Sequence, residues 1–136
     1  MKRILCVMLS LCLLLAAAPF AVSAAGDESG TTGACTWTFN SDSSTLTISG
    51  NGAMADYYSS TAVPWFQNQG RIKKIIIGDG VTRIGDYAFY YLAGVKMVNL
   101  PSSLKEIGNN SFSHTGLAHI VIPDGVTKIG AYAFTE

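Results

Sequence analysis

The sequence has few of the residues that carry metal, redox or nucleic-acid chemistry. It contains three cysteines and two histidines, and its nine basic and nine acidic residues cancel. Nucleic-acid-binding proteins instead concentrate lysine and arginine on one face. His114 and His119 have no metal-ligand spacing, and no motif fixes a carboxylate near them. We therefore expect no enzyme activity, no catalytic residues, no metal site and no cofactor.

Residues 1–24 have the pattern of a secretory signal peptide. Lys2 and Arg3 form a charged head, and the apolar run that follows ends in small residues and is too short to span a membrane. Cleavage would leave seven basic and nine acidic residues, a net charge of about −2, and one cysteine, Cys35. One cysteine cannot form an internal disulfide, so packing alone must hold the exported domain. We interpret Cys35 as an unpaired thiol, with pairing to a partner chain as the alternative.

The C-terminal half repeats one pattern three times, with a period of 23 and then 22 residues. The repeats are residues 72–94, 95–116 and 117–136, here called repeats 1, 2 and 3, and repeat 3 is incomplete. A period of about 20–29 residues with leucine-type spacing is typical of a leucine-rich-repeat solenoid, in which each coil is one strand and a short helical or irregular return. We predict an α/β repeat solenoid of about three repeats with no evident C-terminal cap.

Equivalent positions of the repeats predict ladders of stacked apolar side chains. The first six residues of each repeat have apolar side chains at positions one, four and six, and a turn follows. Two further apolar positions and a final phenylalanine are expected to face the core. These later positions are Val81, Leu104 and Val126, then Ile84, Ile107 and Ile129, and finally Phe89, Phe112 and Phe134.

The segment before the repeats divides into two parts. Residues 25–34 are small and polar, which predicts a flexible leader. In residues 35–71, two alternating stretches around a polar turn predict a β-hairpin, and an aromatic loop follows. The apolar face of the hairpin is Trp37, Phe39, Leu46 and Ile48. Because an exposed end of a solenoid shows core side chains to water, we assign 35–71 to the N-terminal cap.

The outward residues of the predicted repeat strands form a candidate concave binding face. Side chains alternate along a strand, so positions three and five of each repeat point away from the core. Variable outward residues on a repetitive scaffold are typical of a protein-binding face, although three short strands offer less than the about 800 Å² of a standard interface. The predicted binding residues are Lys74, Ile76, Met97, Asn99, His119 and Val121.

Two other functions are compatible with the sequence. Exposed tyrosines on the return side or in the cap loop suit a glycan-binding module, although such residues more often pack at an edge. A structural fragment could instead dock on another repeat protein, or on a second copy, through its open C-terminal coil. The tyrosines are Tyr87, Tyr90, Tyr91 and Tyr132 on the return side, and Tyr57 and Tyr58 in the loop.

The repeat phrase Ile-Pro-Asp-Gly-Val-Thr-Lys-Ile-Gly-Ala-Tyr-Ala-Phe at 122–134 has counterparts at 77–89 and 100–112. It resembles the BspA-like leucine-rich repeats of bacterial secreted and surface proteins, and residues 35–65 resemble the region that often precedes them. The resemblance implies a right-handed solenoid and a non-enzymatic role in adhesion or protein recognition. It also implies a secreted or cell-surface location and a protein partner, such as a host extracellular-matrix or cell-surface protein. We expect no nucleic-acid partner and no stable membrane insertion after signal cleavage.

Overall fold

The computed structural model describes residues 27–136, so the predicted signal peptide lies outside the described residues. This range contains nine strands and one short 3-10 helix, Phe66–Asn68. Across these residues, no helix has the length and hydrophobicity that crossing a membrane requires. The strands are β1 (Glu28–Thr32), β2 (Cys35–Asn40), β3 (Thr45–Gly50), β4 (Gly52–Ala53), β5 (Lys74–Ile77), β6 (Val81–Ile84), β7 (Met97–Asn99), β8 (Glu106–Ile107) and β9 (Lys128–Ile129).

The strands form two sheets along the stack. The long sheet has the order β1-β2-β3-β5-β7, and the short sheet has the order β4-β6-β8-β9. β5 pairs in parallel with β7, Lys74 opposite Met97, and β8 pairs in parallel with β9, Glu106 opposite Lys128. These offsets of 23 and 22 residues equal the sequence period, as a coiled chain requires. The architecture is therefore a repeat solenoid.

The short sheet was not predicted from the sequence. The stretch after each turn was expected only to point apolar residues inward, whereas it forms a strand of the short sheet in each repeat: β6, β8 and β9. Val81 and Ile84 of β6 are fully buried, as predicted. The intervening residues, Thr82 and Arg83, point outward. Two inward residues separated by two outward ones hide the period-two pattern that identifies a strand.

The predicted hairpin is confirmed, and it joins the solenoid directly. β2 and β3 are antiparallel, and all four residues of the predicted apolar face are buried. β3 then lies parallel to β5, with Ile48 opposite Ile77, and β4 lies parallel to β6. Residues 45–53 therefore supply a strand to each sheet, as repeats 1 and 2 do.

The flexible leader predicted for 25–34 is wrong at residues 28–32, whereas residues 25 and 26 lie outside the described residues. Glu28–Thr32 forms β1, which pairs with β2 along its whole length. Gly30 permits this contact, because a Cβ there would lie 2.7 Å from the Trp37 indole nitrogen. The buried Thr32 hydroxyl accepts a 2.7 Å hydrogen bond from Tyr57. Polar composition suggested disorder, but backbone pairing and a few specific contacts are enough to order this segment.

The predicted phenylalanine ladder is confirmed and includes one further ring. Phe89, Phe112 and Phe134 stack with ring centroids 5.2 and 5.5 Å apart, and Trp65 stacks on Phe89 at 5.7 Å. Trp65 is fully buried and also packs edge-on against Trp37, 5.9 Å away. The aromatic loop therefore seals the core with Trp65.

The return side of each coil consists of turns, so the helical half of the predicted α/β class is not observed among residues 27–136. The amides of Tyr87, Phe89 and Tyr91 donate to carbonyls of repeat 2 at 2.9 Å, whereas a helix would direct them along its own axis. Residues in the left-handed backbone conformation cause every second amide to point toward the next repeat. They recur at equivalent positions: Tyr87, Asn110 and Tyr132, then Tyr91 and His114.

The recurring glycine of each repeat permits close stacking. A Cβ on Gly108 would lie 2.7 Å from the backbone nitrogen of Asp86 in the previous repeat. A Cβ on Gly130 would lie 2.5 Å from the backbone nitrogen of Asn109. Such distances leave no room for a side chain, which explains why glycine recurs at 85, 108 and 130.

Burial decreases along the stack. The inward residues of repeat 1 are fully buried, and Val95, Leu104 and Ile107 of repeat 2 are also buried. In repeat 3, Ile129 is 51% exposed and Phe134 is 38% exposed, although both were predicted to face the core. An inward side chain is covered only when a further layer packs on it, and none of the described residues lies beyond repeat 3 on this face.

Candidate concave face and cleft

The outward face of the long sheet includes the strands of the hairpin as well as the repeat strands that were predicted from the sequence. Successive registers align Thr38 with Thr47, Thr47 with Ile76, and Ile76 with Asn99. Because the opposite side chains of β2 and β3 are buried, this row points outward. The face therefore extends from the hairpin to β7, with threonines at one end and larger side chains at the other.

The first two repeats contribute four of the six predicted site residues as expected. Lys74 lies opposite Met97, and Ile76 lies opposite Asn99. Lys74 and Ile76 are half-buried, whereas Met97 is 56% exposed and Asn99 is exposed. These residues of repeats 1 and 2 therefore align in two rows across β5 and β7, and the more accessible ones belong to β7.

Repeat 3 departs from the prediction. Residues 117–122 form no strand, so β7 is the last strand of the long sheet. A cleft of about 460 Å³ lies between β7 and this segment, and His119 and Val121 line its far side. Repeat 3 is instead held through β9 and by return-side hydrogen bonds such as Phe112 N–H to Ala133 O, 2.8 Å. The six predicted residues therefore do not form two continuous rows, because His119 and Val121 lie across a cleft.

The cleft combines apolar walls with a few polar groups. Met97, Leu100 and Val121 supply apolar surface, and Val121 is 80% exposed. Asn99 and Ser102 offer hydrogen-bonding groups. Lys96 is the cation among the lining residues, which include no carboxylate. The full lining is Lys96, Met97, Val98, Asn99, Leu100, Ser102, His119, Ile120, Val121 and Pro123.

A second surface on the return side carries clustered aromatic rings. Tyr90 packs edge-on against Tyr87 and Tyr91, with centroids 5.2 and 5.3 Å away. His114 lies 4.9 Å from Tyr91 and 5.6 Å from Tyr90. Tyr132 is exposed one repeat further on. In the loop, Tyr58 is exposed, whereas Tyr57 is half-buried by its contacts with Thr32 and Trp65.

An ionic network crosses the short sheet on its outer side. Arg83 contacts Asp56, Asp86 and Glu106, and Lys128 contacts Glu106 at 2.9 Å. Hydrogen bonds from Lys128 and Arg83 lower the pKa of Glu106. At Asp56, desolvation opposes the backbone amide of Asp86 and the Arg83 side chain, and the net effect is a lowered pKa. This network was not predicted, because every ion pair in it except that of Arg83 with Asp86 joins residues 22 to 27 positions apart.

Cys35 lies in the core rather than at the surface. Its thiol is buried and lies 3.6 Å from the Gly52 carbonyl oxygen. Burial raises the pKa of the Cys35 thiol. Because the thiolate is the reactive form, this position agrees with an unpaired, weakly reactive thiol.

Neither histidine lies in a metal-ligand cluster. Within residues 27–136, no group of three histidine, cysteine, aspartate or glutamate residues has the arrangement of a metal site. His119 lines the cleft, and His114 packs on the tyrosines.

Comparison with protein-family models identifies a repeat region in the C-terminal part of the chain. Residues 60–136 match the model described as a BspA type leucine rich repeat region (6 copies). No curated protein matches the chain.

Several solved structures are also similar to parts of the chain. A leucine-rich repeat protein from Eubacterium ventriosum is similar over 79% of this chain, at 26% identity and a TM-score of 0.66. One from Bacteroides ovatus is similar over 74% of the chain, at 23% identity and a TM-score of 0.40. A leucine rich cell surface protein from Faecalibacterium prausnitzii is similar over 79% of the chain, at 18% identity and a TM-score of 0.28. The chain spans 36%, 37% and 52% of these proteins, respectively.

Proposed function

The chain belongs to the BspA type leucine-rich repeat family, and on that premise we propose that it is an exported, non-catalytic module that binds a protein partner. The binding surface is the concave face from Ile76 to the cleft. The observation that carries the proposal is the exposure of Met97 and Val121 on either side of a cleft with polar groups. Exposed large apolar side chains beside polar groups are typical of interaction sites.

The cleft supports this proposal. It adds about 460 Å³ beyond β7 to the outward surface of β5 and β7, so a partner can contact both walls of the cleft as well as the outward rows. The objection that three short strands offer too little area is weaker with this added surface. The partner is a secreted or surface protein, such as a host extracellular-matrix protein, and the protein acts outside the cell. The hairpin and Trp65 act as the N-terminal cap.

Two charge substitutions on exposed positions test the face. Met97→Glu/Val121→Glu should lose at least about tenfold in affinity for an extracellular-matrix protein that the parent binds, because carboxylates disrupt an apolar contact. Thr38→Glu is the matched control, since it lies on the same face at the other end of the long sheet. Binding to immobilised matrix proteins is measured for all three, with circular dichroism to check the fold. Equal affinity in parent and double variant overturns the concave-face proposal.

The aromatic cluster supports a second candidate, glycan binding on the return side. Tyr90, Tyr91 and His114 present adjacent rings, and Tyr91 is exposed. Tyr91→Ala should remove binding on a glycan array while leaving protein binding intact. Retained glycan binding in this variant excludes the aromatic cluster as the site.

The exposed side chains of repeat 3 support a third candidate, docking on another repeat protein or on a second copy. Ile129 and Phe134 are the inward residues left uncovered. Self-association would appear as a mass that rises with concentration in light scattering. Ile129→Lys should then abolish the rise, and a constant mass in the parent excludes self-association.

A further inference from the structure

The cleft is bordered by the backbone edge of β7, a feature separate from the rows of outward side chains. β7 is the last strand of the long sheet, and residues 117–122 across the cleft form no strand. The outer edge of β7 therefore faces the cleft without a strand partner among the described residues. An unpaired strand edge is a template for pairing with another extended chain.

The register shows which backbone groups face the cleft. The amides of Lys74, the first residue of β5, and of Gly78, which directly follows β5, donate to carbonyls on the β3 side. Since backbone groups alternate along a strand, Ile75 turns its N–H and C=O toward β7. Val98 lies opposite Ile75 and is its equivalent one repeat later, so its N–H and C=O point into the cleft. Val98 indeed lines the cleft.

We infer that the β7 edge binds an extended peptide segment of the protein partner by strand addition, with the Val98 backbone as the central pairing group. This inference rests on the proposed function and specifies its partner as an extended segment rather than a folded surface. In strand addition, backbone hydrogen bonds supply affinity and side-chain contacts supply specificity. The three residues of β7, at about 3.3 Å each, pair with roughly three to five residues of peptide.

The lining indicates which peptide fits. Met97 and Val121 contact apolar side chains from opposite walls, and Lys96 lies at one end of the β7 edge. The lining residues include a cation and no carboxylate. The cleft therefore favours a peptide with a central apolar residue and an acidic side chain at one end. Alternating Val and Thr with a flanking Glu satisfies both conditions.

The test uses blocked peptides of alternating Val and Thr, with or without a terminal Glu, titrated into the isotope-labelled protein. The expected result is a shift of the Val98 amide resonance, larger for the Glu-bearing peptides. Matched peptides with N-methylated backbones keep their side chains but cannot pair, and they should bind at least about tenfold more weakly. Equal binding of methylated and unmethylated peptides overturns the inference, as does the absence of any shift at Val98.

A closed variant provides the second test. If residues 117–122 completed the sheet in the register of the earlier repeats, His119 would lie opposite Met97, within reach of a disulfide. Oxidised Met97→Cys/His119→Cys should therefore bind the peptide at least about tenfold more weakly than the same variant after reduction. The parent chain under the same oxidising and reducing conditions is the control and should bind equally in both states, because its Cys35 is buried. Unchanged binding in the oxidised variant, with the cross-link confirmed by mass, overturns the inference.

The outcomes separate this inference from the proposed function. If Met97→Glu/Val121→Glu abolishes binding to a folded partner but no peptide shifts Val98, strand addition fails and the concave face stands. If neither the face variant nor the peptides have any effect, both proposals fail. A Val98 shift that grows with protein concentration without peptide identifies a second copy as the occupant and overturns the peptide assignment.

Discussion

At the scale of single residues, the position before each phenylalanine of the ladder is buried and holds only a small side chain. Ala88 and Ala133 occupy it in repeats 1 and 3, and Ser111 occupies it in repeat 2. Ser111 is fully buried, and its hydroxyl has no hydrogen-bond partner. A buried hydroxyl without a partner costs about 1–3 kcal/mol.

Ser111→Ala should therefore raise the free energy of unfolding by about 1 kcal/mol, because it removes the unpaired hydroxyl and keeps the size of the side chain nearly unchanged. Equilibrium urea unfolding measures the change. Ala88→Ser is the reverse control and should lower the free energy of unfolding by about 1–3 kcal/mol. A destabilised Ser111→Ala protein would mean that the hydroxyl is hydrogen-bonded in solution.

At the scale of elements, the turn that carries each recurring glycine controls how closely the coils stack. Gly108→Ala places a methyl group against the backbone of repeat 1 and should cost about 1–3 kcal/mol of stability, since overpacking forces the coils apart. Gly70→Ala is the matched control, because a Cβ there meets nothing within 4 Å. Thermal unfolding compares the two, and equal melting temperatures would show that the coils adjust without cost.

The ionic network gives the short sheet a pH dependence. Asp56 and Glu106 have lowered pKa values, so their contribution is fully present above their unfolded pKa values of about 3.9 and 4.3. It is lost as the pH falls through the lower, folded values. We expect the free energy of unfolding to decrease below about pH 4.5.

Arg83→Met isolates this effect, since Arg83 is the partner that the two carboxylates share. Its unfolding free energy, measured by urea denaturation from neutral pH to about pH 3, should decrease less steeply than that of the parent. Parallel curves would assign the acid sensitivity to other carboxylates.

The sequence predicted the elements that repeat in register and missed those that depend on unique contacts. Equivalent apolar positions identified β5, β7 and the phenylalanine ladder, because a period of 22 or 23 residues fixes which side chains stack. β1 was missed, since its order depends on the individual contacts of Gly30 and Thr32 with distant residues. Of the candidate site, the rows through Lys74 and Ile76 were predicted, but the cleft was not. Its position depends on residues 117–122 not pairing with β7, although they repeat the pattern of two paired strands.

At the scale of the whole molecule, the two sheets end differently. The short sheet continues into repeat 3 through β9, whereas the long sheet ends at β7. Repeat 3 is thus attached through one sheet and the return side, and its other side borders the cleft. In a solenoid, each coil is stabilised by its neighbours, so a coil with fewer contacts opens at a lower free energy.

Equivalent amides in repeats 2 and 3 measure this difference directly. Lys105 and Thr127 donate backbone hydrogen bonds of 2.8 and 2.9 Å at equivalent positions, and Gly108 and Gly130 donate bonds of 2.9 and 2.8 Å. Because the bonds match within each pair, any difference in native-state hydrogen exchange reports the opening of the coil. We expect Thr127 and Gly130 to exchange at least about tenfold faster than Lys105 and Gly108. Equal rates would show that the stack opens as a single unit, and repeat 3 would then be as firmly held as repeat 2 despite its cleft. Slower exchange in repeat 3 when a Val/Thr peptide is added would show that filling the cleft also stabilises this coil, which would couple partner binding to the order of the solenoid.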